Sequence, residues 1–266
     1  MRNSIRKGQL TTESSENSSV YRATCEYNEY GVAYAFQPVY LHIFQWVITD
    51  MRNSNPEARV SNSLMISRMV HDHFDRALLH DEDVDIKAYL DAYNELYKFF
   101  QLMGSVFSFV SSDLKEKIDV LHELRARDEE NYATIKKMIN HEKENKILER
   151  PNSINGARTL LRLHRGLDFI REFLRQLSNL TDMEKTSACC QDAYNKTLAK
   201  HHPWIIKKAA VVAMYTMPTR EILLKKVCGD NVQRNVDVMP KMLQVTADVF
   251  LRTDNLYETY QLHTLP

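Results

Sequence analysis

Arginines at positions 158, 162 and 165 recur at the three- and four-residue spacing that stacks side chains on one face of a helix. They lie in the segment GARTLLRLHRGLDFIREFLRQL, residues 156–177. At about 100° per residue, Leu160, Leu163, Leu167, Ile170, Leu174 and Leu177 form one apolar stripe. Leu161, Phe169 and Phe173 fall roughly opposite, in line with the three arginines. Only His164, Asp168, Arg171, Glu172 and Arg175 read as facing solvent. A helix apolar on two sides sits between two layers. Guanidinium groups on such a face need anionic partners, because an unpaired buried charge is very costly. Protein carboxylates would satisfy them. So would an anionic ligand headgroup at the mouth of an apolar tunnel, since the arginine fork matches phosphate oxygens.

A second polar intrusion lies between residues 105 and 125. Val106, Phe109, Val110, Val120 and Leu124 share a face, and Asp113 and Lys117 fall on the same line. As an i,i+4 pair they can form a salt bridge on a helix edge. They can equally serve as part of a small polar recognition centre above an apolar pocket.

These residues need a helical frame, and the rest of the chain supplies one. It has 266 residues, 44% of them hydrophobic, with only 6 Gly and 7 Pro. So few breakers predict an all-α protein. Helical periodicity is predicted over 65–79, 85–103, 105–125, 129–148, 158–177, 183–200, 203–217, 219–227 and 232–260, which implies about eight helices. Gly104 separates or kinks two of them, Asp182 is the expected cap of the 183–200 helix, and Gly229-Asp230-Asn231 reads as a turn. Residues 1–63 differ in character and read as a low-complexity or loosely ordered N-terminal extension, with the folded domain at 64–266. Within that extension residues 32–48 are the most hydrophobic run, too short and interrupted for a membrane span. The formal net charge is +0, from 35 basic and 35 acidic residues, which argues against nucleic acid as a partner. Cys25, Cys189, Cys190 and Cys228 fit neither a metal-binding spacing nor a disulfide framework and suit a reducing compartment.

Three segments carry a family resemblance: FQLMGSVFSFVSSDLKEKI, GARTLLRLHRGLDFIREFL and SACCQDAYNKTLAKHHPWIIKKAAVVAMYTMPTRE. In order and spacing, from about residue 64 to the C-terminus, they resemble the glycolipid transfer protein family. The resemblance implies a two-layer all-α sandwich enclosing one sphingolipid, with the chains inside and the headgroup at the surface. It also implies non-vesicular transfer between membranes, with no cofactor and no covalent chemistry. Asp113 would then accept hydrogen bonds from the lipid amide N–H and a nearby hydroxyl, and His202 would donate to the amide carbonyl. Lys117, Arg158 and Arg162 match the positions that hold a phosphate headgroup, which implies ceramide-1-phosphate or a related phosphosphingolipid. Glycolipid-carrying relatives have a tryptophan where this chain has Arg162. Arg165 is expected to play a supporting role. Trp204, Lys207 and Lys208 match a membrane-contact region, although Trp204 also suits ordinary core packing. Phe109, Phe169 and Phe173 would line the pocket. A monomer in the cytosol, touching membranes only transiently at their surface, is expected.

Two other readings use the same residues. A lipid sensor or interaction module would need the same pocket. His71-Asp72 and His80-Asp81 superficially suggest a helical metal-dependent phosphohydrolase, but nothing in the spacing of His122 or His141 supplies its further ligands.

Overall fold

A computed structural model describes residues 62–102, 108–150, 153–228 and 232–265. The expectations for residues 1–61, Gly104, Val106 and the turn at 229–231 lie outside these. The described residues contain nine α-helices: α1 (Asn62–Ala77), α2 (Ile86–Leu102), α3 (Ser108–Arg127), α4 (Ile135–Glu144), α5 (Gly156–Ser178), α6 (Thr186–Lys196), α7 (Trp204–Tyr215), α8 (Arg220–Cys228) and α9 (Val232–Thr259). A single 3-10 turn, Ala199–His201, precedes α7. The fold is the expected all-helical sandwich. Helix α1 packs on α2 and α9, while α5, the arginine helix, contacts α3, α4, α6 and α9.

The two apolar stripes predicted for α5 are both buried. Leu160, Leu163, Leu167, Ile170, Leu174 and Leu177 are in the core, and so are Leu161, Phe169 and Phe173. Its first turn is fixed by three side-chain contacts. Asn155 caps the helix, its side-chain oxygen accepting from the Arg158 amide at 2.9 Å. The Glu142 carboxylate from α4 accepts from the amides of Gly156 and Ala157, and from the Tyr132 hydroxyl at 3.0 Å. A carboxylate at a helix N-terminus also complements the helix dipole. Two fully buried tyrosines then hold the helix from other layers. Tyr257 of α9 donates to the Ala157 carbonyl and Tyr93 of α2 to the Leu163 carbonyl, each at 2.7 Å. Each such bond contributes about 1 kcal/mol net.

Three expectations need correction. His164 was expected to face solvent but is only 2% exposed. Helix α9 closes over that side of α5, stacking Phe250 on the His164 ring at 4.4 Å while Asp254 Oδ1 meets Nε2 at 3.0 Å. Asp182 caps nothing: α6 starts at Thr186, and Asp182 instead pairs with Arg220 at the start of α8. The predicted 129–148 helix is reduced to α4, because Asp128 ties down Asn131 in a turn and Thr134 restarts the helix by accepting from the Lys137 amide. Cys189 and Cys190 are free thiols buried in α6.

Glycines at the two ends of the arginine segment should respond oppositely to alanine. A Cβ on Gly156 would stand 2.5 Å from Met138 Sδ and 2.9 Å from Tyr132 Cε1. The methionine can swing aside, but the Tyr132 ring is held by its bond to Glu142. Gly166→Ala meets nothing within 4 Å and adds helix propensity. Gly156→Ala is expected to cost about 1–3 kcal/mol, and Gly166→Ala to stabilise by about 0.5–1 kcal/mol. Urea denaturation of the two variants checks this; equal midpoints would contradict the close approach of α4 to α5.

Candidate functional site

Helix α3 places Asp113 and Lys117 one turn apart, and Lys117 Nζ donates to the Asp113 carboxylate. The salt bridge offered by the spacing is therefore formed. It is asymmetric: the lysine side chain is 14% exposed and the aspartate 63%. The lysine stem is covered while the carboxylate stands open at the rim.

His202 follows the 3-10 turn and is half-buried. Burial lowers its pKa, Asp113 opposes that shift, and Lys117 and Lys207 add to it. Asp113 and Lys117 on α3 and Lys207 on α7 thus all act on this ring through space. The Tyr194 hydroxyl of α6 lies 2.8 Å from His202 Nδ1. The Tyr194 ring meets Phe169 edge-on, with centroids 6.3 Å apart, and Phe169 lies parallel to Phe173 at 6.0 Å. An aromatic path thus leads from His202 into the core, where Phe169 and Phe173 are buried as expected. The Phe109 side chain lies outside the described set.

The arginines approach from α5. Arg158 is half-buried; its Nη1 donates to the Ser153 carbonyl at 3.0 Å, and its buried Nε has no partner among the described residues. Arg162 is exposed and acts electrostatically on Arg165. Arg165 has the supporting role expected of it: Nη2 donates to the carbonyls of His263 at 2.8 Å and Leu265 at 3.0 Å, clasping the C-terminal tail. Its pKa is lowered, mainly by burial and then by Arg162. The groups that hold Arg158 and Arg165 are thus neutral carbonyls rather than carboxylates. His201 continues the series, its pKa pushed down to about 4 by burial, then by Arg165, Lys200 and His202, with Asp168 opposing. Electrostatic influence thus links Arg162 to Arg165, Arg165 to His201 and His201 to His202, with Asp113 and Lys117 also acting on His202.

Helix α7 turns outward from this point. Trp204 is 71% exposed, which removes the core-packing alternative, and Ile205, Val212 and Tyr215 are exposed on the same helix. Lys208 Nζ sits 5.9 Å from the centre of the Trp204 ring. Lys207 is half-buried and belongs with His202.

Sequence reasoning assigned no role to Tyr194 or His201. Tyr194 precedes His202 by eight residues across a helix end, a separation no periodic pattern marks. His201 stands beside His202 in the KHHPW run, and that doubling was the available signal.

The His-Asp pair of the phosphohydrolase reading is a local contact. His71 is spent on its exposed neighbour Asp72 at 3.0 Å. Among the described residues no three His, Cys, Asp or Glu side chains are grouped to hold a metal.

An all-helical sandwich with charged side chains at the outer end of a buried aromatic path is an arrangement that a carrier of an amphipathic lipid can use. The family model described as Glycolipid transfer protein (GLTP) matches residues 84–229. The ceramide-1-phosphate transfer protein of Danio rerio is 39% identical over 201 residues, covering 73% of this chain and 94% of its own. The crystal structure of the mouse ceramide-1-phosphate transfer protein, in its apo form, has a TM-score of 0.71 at 30% identity, covering 75% of this chain and 99% of its own. That of the human protein in complex with 12:0 ceramide-1-phosphate has a TM-score of 0.69 at 31% identity, covering 75% and 98%. The chain belongs to the glycolipid transfer protein family.

Five histidine rings set an acid sensitivity; His164 is buried, His73, His122 and His202 are half-buried, and His201 is an exposed residue whose ring is partly covered. His73, His122, His164, His201 and His202 all have pKa values below 6.5, with burial the largest cause in each. A base whose folded pKa lies below its unfolded value takes up its proton first in the unfolded chain. Stability is therefore whole above the unfolded pKa and falls as pH drops through it. Glu142, raised by burial, works the other way but is a single group. The melting temperature should fall from about pH 7.5 to about pH 5; a rise over that window in calorimetry would contradict the ring environments.

Proposed function

We infer that this protein moves ceramide-1-phosphate between membranes by lifting it into an apolar interior with a cationic headgroup site. The observation that carries this is the aromatic path from His202 through Tyr194 and Phe169 to Phe173, with Asp113 and Lys117 acting electrostatically on the ring at its outer end. The relatives named for ceramide-1-phosphate support it, as does the human structure solved with that lipid.

The energetics explain the division of labour. Withdrawing a lipid chain into water costs about 0.8 kcal/mol per CH₂, so desorption of a two-chain lipid is very slow. A continuous apolar sleeve removes most of that cost. Charge-assisted hydrogen bonds at the rim, about 1.5–3 kcal/mol each in net terms, then select the headgroup. Asp113 pairs with Lys117 in this structure. Once a phosphate neutralises Lys117, Arg158 and Arg162, the carboxylate is released to accept the amide N–H, while His202 donates to the amide carbonyl. No bond is made or broken. Residues 64–266 carry the activity in this reading, so deleting residues 1–63 should leave transfer intact.

Selectivity and grip are separable in vesicle assays. Arg162→Leu and Arg158→Leu should each lose most ceramide-1-phosphate transfer with helix content unchanged. Asp113→Val should abolish it, because the amide donor is stranded at a cost of about 1–3 kcal/mol. The parent protein should neglect galactosylceramide, which relieves no cation repulsion and finds no aromatic platform at 162. Preferential movement of the galactosyl lipid would overturn the headgroup assignment.

Helix α7 is the proposed membrane contact, with Trp204 seated at the interface and Lys208 facing anionic lipid. Trp204→Ala should weaken vesicle binding and slow transfer while leaving the affinity for a short-chain, water-dispersed ceramide-1-phosphate unchanged. Equal vesicle binding by the variant would move the docking surface elsewhere.

A further inference from the structure

Resting on the reading above, that His202 serves the lipid amide, a question of proton placement remains. An amide presents one donor and one acceptor. Asp113 as a carboxylate can only accept, so the carbonyl must find its donor on His202. A neutral imidazole carries one proton, and the nitrogen that holds it is set by the bond the other nitrogen makes. If the outward nitrogen were bare, both protein groups would be acceptors and the carbonyl would go unmet.

We propose that Tyr194 is a positioning residue that donates its hydroxyl proton to His202 Nδ1 and so fixes the ring as the Nε2–H tautomer the amide carbonyl requires. Tyr194 is 2% exposed, so its hydroxyl has little access to water and its proton needs a protein acceptor. His202 Nδ1, at 2.8 Å, is in place to be that acceptor. A phenol is a good donor and imidazole nitrogen a good acceptor, whereas a phenol oxygen accepts weakly from a neutral ring. The surroundings keep the ring neutral, as a tautomer lock demands. Burial and the cations Lys117 and Lys207 disfavour protonation, and Asp113 alone opposes them. The phenol is neutral as well, its pKa raised to about 12 by burial. The Tyr194 ring is itself held against Phe169, so the hydroxyl is aimed by the same aromatic path that receives the lipid chain. Tyr194 thereby couples the shape of the interior to the polarity of the rim without touching the ligand.

The test begins without lipid. Long-range ¹H–¹⁵N correlation on histidine-labelled full-length protein reports which nitrogen of His202 is protonated, with His202→Gln identifying the signal. The wild type should show a bare Nδ1 and a protonated Nε2. Tyr194→Phe keeps the ring packing and removes the donor, so its His202 signals should shift towards a tautomer mixture. Binding of 12:0 ceramide-1-phosphate should weaken about 2- to 10-fold in Tyr194→Phe, the range one net hydrogen bond supplies. In a His202→Ala background the same substitution should have no further effect, an absence of additivity that a purely structural tyrosine would not produce. A protonated Nδ1 in the wild type, an unchanged ring in Tyr194→Phe, or additive losses in the double variant would each overturn the proposal. Failure of the wild type to bind ceramide-1-phosphate would instead sink the lipid reading, while the ring signals still decide whether Tyr194 sets the tautomer.

Discussion

Burying a helix that carries arginines is the constraint on which this domain is built. Helix α5 has apolar stripes on two sides, so it must lie between layers, and its cations must then surface at a rim where an anion can reach them. The helix cannot be allowed to rotate or slide, because a shift of one residue would carry Arg158 and Arg162 into the core. The Glu142 carboxylate, the Asn155 cap and the carbonyl bonds from Tyr93 and Tyr257 fix its register from three directions. Glu142 is costly to bury in isolation; three donors reward its burial, and the return is a helix start that cannot fray.

The electrostatic arrangement of the rim follows from the same constraint. Like charges along α5 repel; Asp168 and Glu172 pair with Arg171 and Arg175 farther along the helix, whereas Arg158 and Arg165 are held by neutral carbonyls. Ser153, His263 and Leu265 lend backbone oxygens to Arg158 and Arg165. Such partners hold a guanidinium in place without cancelling its charge. The field at the rim therefore stays positive in a chain whose charges balance overall.

Much of this was legible in the sequence. The two stripes of α5, the order of the helices and the rim residues Asp113, Lys117 and His202 follow from periodicity and from the family resemblance. What periodicity could not convey was which neighbour would cover which polar strip. His164 reads as exposed because its flanking residues are charged, yet Phe250 and Tyr257 of α9 close over it from 86 and 93 residues further along the chain. Asp182 looks like a cap because caps are local, but Arg220 competes for it from 38 residues further along the chain. Tyr194 escaped notice for the same reason: its partner lies beyond a helix end, where no repeat applies.

Trp204 stands two residues from His202, with Pro203 between them holding φ at −60°. A rigid hinge this short leaves no slack between the side chain that meets the bilayer and the ring that grips the amide. A change of backbone at Pro203 would therefore tilt both at once, whereas trimming the Trp204 side chain alters adhesion alone. Evolution or an engineer wishing to redirect the carrier to a new headgroup would find little freedom in the HHPW segment. The arginine helix, where Arg162 stands exposed, is where new cargo can be written in.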